Sequence, residues 1–343
     1  MAKRIPTMRD VAQLAGVGTM TVSRFLNGSA TVSRETAERV DKAIHALHYK
    51  PNQMARALRG QRSRSIGLIL PYLYDPFFAI CAHAITEVAK QNGYTVLTTT
   101  SDESPDVEYN EAVQMLQRYV EGLILIPANN GKTRINRVLT GRVPLVSFDR
   151  PIDEPAFDQV LVQNQLGAQR MVEHLIEHGH RRIAFMGLSR NLYTIEARFK
   201  GYQQAMLHAG LEPIASFDCA TLEGAHAALE QLLGTPVPPT ACFTANTLAS
   251  TFVVAELHRL GIKTPEQVAL AGFDDFFFAA TLSPALSVVR QPVEELGHIA
   301  AVQLFARLKS SVLPQTGTRT VLPVSLVLRQ SCGCTHTGEK VIE

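Results

Sequence analysis

The chain has 343 residues, 46% hydrophobic and 19% charged, a composition ordinary for globular proteins and long enough for two or three domains. No run of about 18 apolar residues can span a bilayer, the opening Met-Ala-Lys-Arg-Ile-Pro lacks the apolar stretch of an export signal, and five scattered cysteines form no disulfide framework, so a cytoplasmic protein is expected. The net charge of +2 hides an asymmetry: residues 1–64 carry twelve Lys/Arg against four acids, while the remainder is mildly acidic, the footprint of one module that meets phosphate and another that does not.

Residues 7–49 are predicted as three helices. Thr7 is the expected N-cap of the first, in which Met8, Val11, Ala12 and Ala15 form an apolar stripe at i, i+3, i+4 intervals. Gly16 supplies the positive φ of the C-cap, and Val17 is the apolar plug of the turn. The second helix starts at Gly18 or Thr19. It turns Val22, Phe25 and Leu26 inward, leaves Thr19, Met20, Ser23 and Arg24 outward, and ends at Asn27-Gly28. The third, over 33–48, opens on Ser33 with Glu35 in its first turn and buries Ala37, Val40, Ile44 and Leu47.

After Pro51, a short segment over 52–58 and the basic run at 59–64 read as a hinge between domains. From 65 onward strands alternate with helices. Strands are predicted at 65–70, 95–99, 122–126, 145–148, 160–162, 183–186, 241–243 and 268–271, and helices at 76–92, 107–119, 165–178, 195–209, 224–233, 248–260 and 293–309. The strand runs are short and continuously apolar, as parallel strands buried on both faces require, so the core is expected to be doubly wound α/β. This organisation gives a headpiece over 1–50, a hinge and linker over 51–64 and a core over 65–343.

In a helix-turn-helix the second helix lies in the major groove and its first outward side chains reach base edges. Here these are Thr19, Met20 and Arg24. The Arg24 fork matches guanine O6 and N7, and Thr19 and Met20 offer apolar contact to a thymine methyl. Thr7, Thr21, Ser23 and Asn27 carry short hydroxyl or amide groups suited to backbone phosphate. Double-stranded DNA is therefore the expected partner.

The run from Thr7 through Asp10, Val11, Ala12, Gly16, Val17, Thr21, Val22, Ser23 and Arg24 to Asn27 resembles the signature of the lactose/galactose repressor (LacI/GalR) family. The likeness continues in Val32-Ser33, Tyr49-x-Pro51-Asn52, Ala55-x-x-Leu58, Ser65-Ile66-Gly67 and Gly272-Phe-Asp-Asp275, as far as Leu328. It departs at Gly18, where the family commonly has Ser or Thr. The resemblance implies an all-α helix-turn-helix headpiece followed by an α/β core of two doubly wound parallel-sheet subdomains, periplasmic-binding-protein-like. One subdomain is expected at about 65–163 and 293–320, the other at about 164–290 and 321–335. It also implies a transcriptional regulator, most often a repressor, that binds a pseudo-palindromic operator as a homodimer and responds to a small polar effector. A sugar or sugar derivative is the first expectation for that effector, a nucleobase or another metabolite the alternative.

On the same resemblance, residues 52–58 fold into a hinge helix only when two subunits sit on DNA, with Leu58 wedged into the minor groove and Asn52 and Ala55 near its floor. The physics agrees, since an apolar wedge unstacks a base step and a seven-residue helix is unstable alone. From the residues themselves a plain linker reads equally well. The tail at 335–343 is polar and carries no heptad, so dimers rather than tetramers are expected.

Ligands of open α/β sheets bind at the carboxyl ends of the strands. Phe77 and Phe78 follow the first predicted strand, Asp149-Arg150 the fourth, Asn246 that at 241–243 and Asp274-Asp275 that at 268–271, while Arg198 opens a helix after Met186. Carboxylate, amide and guanidinium groups beside rings suit a polyhydroxylated ligand, and with no Trp in the chain Phe supplies the rings. The resemblance assigns Phe77, Phe78, Asp149, Arg198, Asn246, Asp274 and Gln291 to the effector site. Two departures change which hydroxyls can be held: Thr247 stands where the family often has Asp, and Gln163-Asn164 where it often has Asp-Asn. Phe276-Phe277-Phe278 is expected as a cleft wall or an inter-subunit contact.

Two metal-like features are set aside. His174 and His178, with His180 nearby, lack the further ligand of a zincin motif and read as a cationic helix C-terminus. Cys332-Gly-Cys334 lacks the second pair of a zinc site. No metal or cofactor is expected. An enzyme is disfavoured because no G-x-G-x-x-G follows a strand and neither a Walker loop nor a G-x-S-x-G elbow occurs.

Overall fold

The computed structural model describes residues 6–26, 31–49, 63–128, 134–135, 143–310, 316–334 and 339–342. The chain forms two compact units, 1–63 and 64–343.

In the first unit α1 (Met8–Ala15), α2 (Thr19–Leu26) and α3 (Arg34–Leu47) stand where the apolar periodicity put them. Thr7 caps α1 reciprocally: its hydroxyl accepts from the Asp10 N–H, and the Asp10 carboxylate accepts from the Thr7 N–H at 2.7 Å. Gly16 at φ 64° reverses the chain, so that the Val17 N–H reaches the Ala12 carbonyl at 3.0 Å. Gly18 has open space where a Cβ would lie, and at the start of α2 its carbonyl accepts from the Thr21 and Val22 N–H groups.

Val11, Ala12, Ala15, Val22, Val40, Ala43 and Tyr49 form the headpiece core, with Val17, Phe25, Leu26, Ile44 and Leu47 half-buried around it. The third helix turns a little further than its expected stripe. Ala37 is only half-buried and Ala43 takes an inner position, because a small residue there lets α3 lie close on α1. His48, left-handed at φ 47°, folds the chain back so that Tyr49 closes the core.

The second unit contains two sheets. The first holds β1 (Ser65–Leu70), β2 (Thr95–Thr100), β3 (Leu123–Leu125), β4 (Leu145–Phe148), β5 (Asp158–Val162) and β11 (Arg319–Leu322), all parallel, in the order β11-β5-β4-β3-β1-β2. The second holds β6 (Ile183–Met186), β7 (Ile214–Ser216), β8 (Ala241–Thr244), β9 (Ala269–Phe273), β10 (Ser287–Arg290), β12 (Ser325–Leu328) and β13 (Lys340–Ile342), in the order β13-β12-β10-β9-β8-β6-β7. Its antiparallel pairings are those of β12 with β10 and with β13. The chain passes between the sheets after Val162, after Arg290 and between Leu322 and Ser325.

The helices of this unit are α4 (Pro76–Gln91), α5 (Pro105–Gln117), α6 (Asn164–Glu177), α7 (Tyr193–His208), α8 (Leu222–Leu233), α9 (Thr247–Arg259) and α10 (Val293–Lys309). Strands β1, β3, β4, β6, β8 and β9 are buried at every position, as their unbroken apolar runs require. Helix α10 packs on α4 and β4 and so belongs with the first sheet. Helices α6 and α7 approach so closely that a Cβ on Gly201 would lie 2.1 Å from the Gln165 carbonyl oxygen.

Five strands were not anticipated: β7, β10, β11, β12 and β13. Each has three or four residues, and β10, β11 and β12 stand next to Pro292 or Pro323. Their pairing is set by distant partners, as when Thr320 registers with Val160, so the local signal is weak. Helices α5 and α8 start two residues early, where the Ser104 and Thr221 hydroxyls cap them, Thr221 accepting from the Gly224 N–H at 3.0 Å.

Candidate nucleic-acid interface and ligand cleft

On the headpiece, Thr19, Met20 and Arg24 are exposed along α2, while Thr21 and Ser23 are half-buried on its flanks. Met20 is 67% exposed, an apolar side chain left in water on a helix that turns Val22, Phe25 and Leu26 toward the headpiece core. Thr7 is exposed, but its hydroxyl is committed to Asp10, donating to the carboxylate at 2.6 Å. Asn27, Asn52, Ala55 and Leu58 lie outside the described residues.

In the second unit one open cleft between the two sheets is lined by Phe77, Phe78, Asp149, Arg198, Asn246, Asp274 and Gln291, all seven expected positions. Asp75 caps α4, accepting from the Phe77 N–H at 3.0 Å, and Pro76 sets the first turn. The cap delivers Phe77 and Phe78 to the mouth of the cleft, their rings edge-to-face at 5.3 Å. Asp149 and Asp274 directly follow β4 and β9 and adopt φ 63° and 80°. For a residue with a Cβ that conformation costs about 1–3 kcal/mol and is retained where surrounding structure imposes it, commonly at functional sites.

Arg198, 3% exposed, is fixed on three sides. Its Nε donates to Asn164 Oδ1 at 2.8 Å, its Nη1 donates to the Ala245 carbonyl at 2.8 Å, and its guanidinium lies 3.7 Å from the centre of the Phe273 ring. The same Nη1 stands 3.4 Å from Asp274, whose other oxygen accepts from Gln291 Nε2. Asn246 commits its carbonyl oxygen to capping α9 through the Ala249 N–H at 3.1 Å, which leaves its NH₂ to donate. Asn164 Nδ2 and Gln291 Oε1 are buried with no hydrogen-bond partner among the described residues, and polar atoms in that state call for a ligand or water.

Burial pushes the Asp149 carboxyl up to about 6. The opposing pull of Arg150 and Arg198 is overcome, and Asp274 and Glu103 add to the rise. Asp75 is likewise raised to about 6, first by burial and then by Asp274. Arg150 is itself held by Glu103 in a two-pronged pair.

Sequence reasoning missed Tyr72, Asp75, Glu103 and Thr194, which also line the cleft. The Asp-Pro step before α4 is a cap signal that marks Asp75, whereas Glu103 reaches the cleft only through its pairing with Arg150, which no local pattern reports. Gln163 makes no side-chain cap on α6, while Asn164 meets Arg198. Phe276 is half-buried against the second sheet's core, but Phe277 and Phe278 are 72% and 71% exposed; Phe277 still edges the space beside Asp274.

A helix-turn-helix unit with an outward polar face, followed in the chain by a two-sheet core with a polar cleft, is the build of a DNA-binding regulator. Residues 7–52 match the family model for bacterial regulatory proteins of the lacI family, and residues 172–332 match a periplasmic binding protein-like domain. The chain is 30% identical to the ribose operon repressor of Halalkalibacterium halodurans over 95% of this chain and 96% of that one. It is 27% identical to the HTH-type transcriptional repressor PurR of Aliivibrio salmonicida over 88% and 92%. Among solved structures it is similar to a lac repressor dimer bound to operator and the anti-inducer ONPF, with a TM-score of 0.84 and 25% identity over 96% and 99% of the two chains. The chain belongs to the lacI family and is a DNA-binding transcriptional regulator. No helix among the described residues is long and apolar enough to cross a membrane.

Proposed function

We propose that the protein works as a cytoplasmic homodimer whose two headpieces read the half-sites of a pseudo-palindromic operator, that it represses the genes behind that operator, and that a small polyhydroxylated effector in the cleft changes its grip on DNA. The convergence of the seven cleft residues carries this reading, above all Asp149 and Asp274 held in left-handed backbone around a fixed Arg198. Carboxylates accept from hydroxyls, Arg198 and the Asn246 NH₂ donate to them, and the Phe77 and Phe78 rings offer an apolar wall. A relative named for the ribose operon fits a sugar or sugar derivative. The ring-rich mouth formed by Phe77, Phe78 and Tyr72 can also stack a flat heterocycle, which supports a nucleobase as the second reading.

The cleft binds rather than transforms. Asp274 is engaged by Arg198 and Gln291, and Arg150 by Glu103, so the charged groups serve to position a ligand. On the DNA side Thr19, Met20 and Arg24 contact bases, while Thr7, Thr21, Ser23 and Asn27 contact phosphate. Residues 52–58 fold on the duplex with Asn52 and Ala55 near the minor-groove floor and Leu58 wedged between base pairs. Effector and operator are coupled through that hinge by about 1–3 kcal/mol.

The test is thermal fluorimetry of the full chain against sugars, sugar acids and purines, followed by operator binding with and without each hit. One chemical class is expected to raise the melting temperature and shift operator affinity by about 5- to 150-fold. A hit that stabilises the protein while leaving operator affinity unchanged refutes the coupling.

A further inference from the structure

The two halves set aside in the sequence meet in the fold. His174 lies in the last turn of α6 with His178 just past its end, and Cys332 and Cys334 follow β12, more than 150 residues later. His174 Nε2 stands 3.4 Å from both Cys332 Sγ and Cys334 Sγ, and the two sulfurs are 3.2 Å apart. The three ligand atoms all lie within 4.8 Å of one another. His178 Nε2 approaches from the exposed side, 3.4 Å from Cys334 Sγ, and the two imidazole rings are 4.2 Å apart. We propose that His174, His178, Cys332 and Cys334 form a Cys₂His₂ site for Zn²⁺ that pins the chain after β12 to the end of α6.

Three features support a metal rather than a fortuitous cluster. The first is size. With zinc–sulfur and zinc–nitrogen bonds of about 2.3 and 2.05 Å, the edges of a tetrahedron are about 3.8 Å for sulfur to sulfur and about 3.6 Å for sulfur to nitrogen. Among His174, Cys332 and Cys334 the separations of 3.2 and 3.4 Å need an opening of a few tenths of an ångström to admit the ion, whereas His178 meets Cys334 alone and has to swing in toward the other two ligands to complete the tetrahedron.

The second is protonation. His178 Nδ1 lies 2.9 Å from the His174 carbonyl oxygen, an acceptor only, so that nitrogen carries the proton and donates. Nε2 is left with its lone pair facing the thiols, the tautomer a metal requires, fixed by the backbone bond that ligating histidines usually make.

The third is the chain around the thiols. Gly333 adopts φ 90°, which a side chain resists, and the reversal there brings both sulfurs to the same side. Ser287 Oγ stands 3.1 Å from Cys332 Sγ and accepts from the Arg329 N–H at 2.8 Å, so its hydroxyl proton is placed to support a thiolate.

Four protein ligands leave no open position, which makes the site structural rather than catalytic. Zinc binding displaces the two thiol protons to solvent and leaves the imidazoles neutral, with no redox partner needed. A cysteine pair in a reducing compartment is more consistent with metal than with a disulfide.

The experiment uses the full chain purified with reductant, stripped with a chelator and reloaded with Zn²⁺ or Co²⁺. One zinc per chain is expected to survive dialysis, and the cobalt form is expected to show the d–d bands of tetrahedral coordination with thiolate-to-cobalt charge transfer. His178→Gln and Cys334→Ser, at the two more exposed ligands, are expected to weaken zinc by more than about 100-fold, beyond the loss seen for outer-shell partners. Substoichiometric metal in wild type, cobalt spectra without thiolate charge transfer, or equal zinc affinity in both variants and wild type overturns the site. The wild-type cobalt spectrum decides even where a variant folds poorly.

Discussion

The substitution Asp149→Asn removes a carboxylate that the fold holds at a cost. Asp149 is 4% exposed, and burial raises its pKa from 3.8 to about 6 despite Arg150 and Arg198. A shift of about two units is roughly 3 kcal/mol, taken as an order of magnitude. The folded-state pKa is raised, so the contribution of this group to stability is fully present below about pH 4 and is lost as pH climbs to about 6. The amide that replaces the carboxyl stays neutral throughout. The variant is therefore expected to match wild type near pH 4 and to exceed it by about 2–3 kcal/mol at pH 7, while Arg150 keeps its pair with Glu103. Urea unfolding of the full chain followed by circular dichroism from pH 4 to 8 measures this directly. Parallel pH profiles, or a variant weaker than wild type at pH 7, refute the reasoning. The added stability is expected to accompany weaker effector binding, the usual exchange at a site built for a ligand.

Two further substitutions address the headpiece and the packing of the core. Arg24→Ala is expected to cost about 1–3 kcal/mol of specific operator affinity, measured by anisotropy, while binding to a scrambled duplex at the same salt concentration persists; an equal loss on both duplexes assigns Arg24 to phosphate instead. Gly201→Ala drives a Cβ to 2.1 Å from a backbone oxygen of α6, so it is expected to destabilise the core by about 1–3 kcal/mol in the same urea assay, and an unchanged midpoint refutes the close contact.

The headpiece was readable because its information is local. The Thr7 cap, the 8-11-12-15 stripe and the Gly16 reversal each act within one or two helical turns, and the structure returns all three. The failures there are small: Ala43 and Tyr49 enter the core through the approach of α3 to α1, which no single-helix pattern contains. The longer apolar strands of the core were equally visible. The short strands were not, because four residues such as Ser287–Arg290 carry little periodicity and become strands only when distant neighbours supply their hydrogen bonds.

The cleft is intermediate. Its residues could be listed from their places after strands and from family resemblance, but their convergence is a property of two sheets facing one another. The positive φ of Asp149 and Asp274, the orphaned amide atoms of Asn164 and Gln291, and the membership of Glu103 all appear only there.

Local chemistry along the chain therefore determines the three-helix headpiece, the alternating core and the membership of the lacI family, because caps, turns and apolar spacing act between near neighbours. Tertiary structure alone decides which distant side chains share a space. His174 and His178 lack ligands within their helix, and Cys332 and Cys334 lack them within their turn. Each pair finds its complement only when α6 and the chain leaving β12 are packed together.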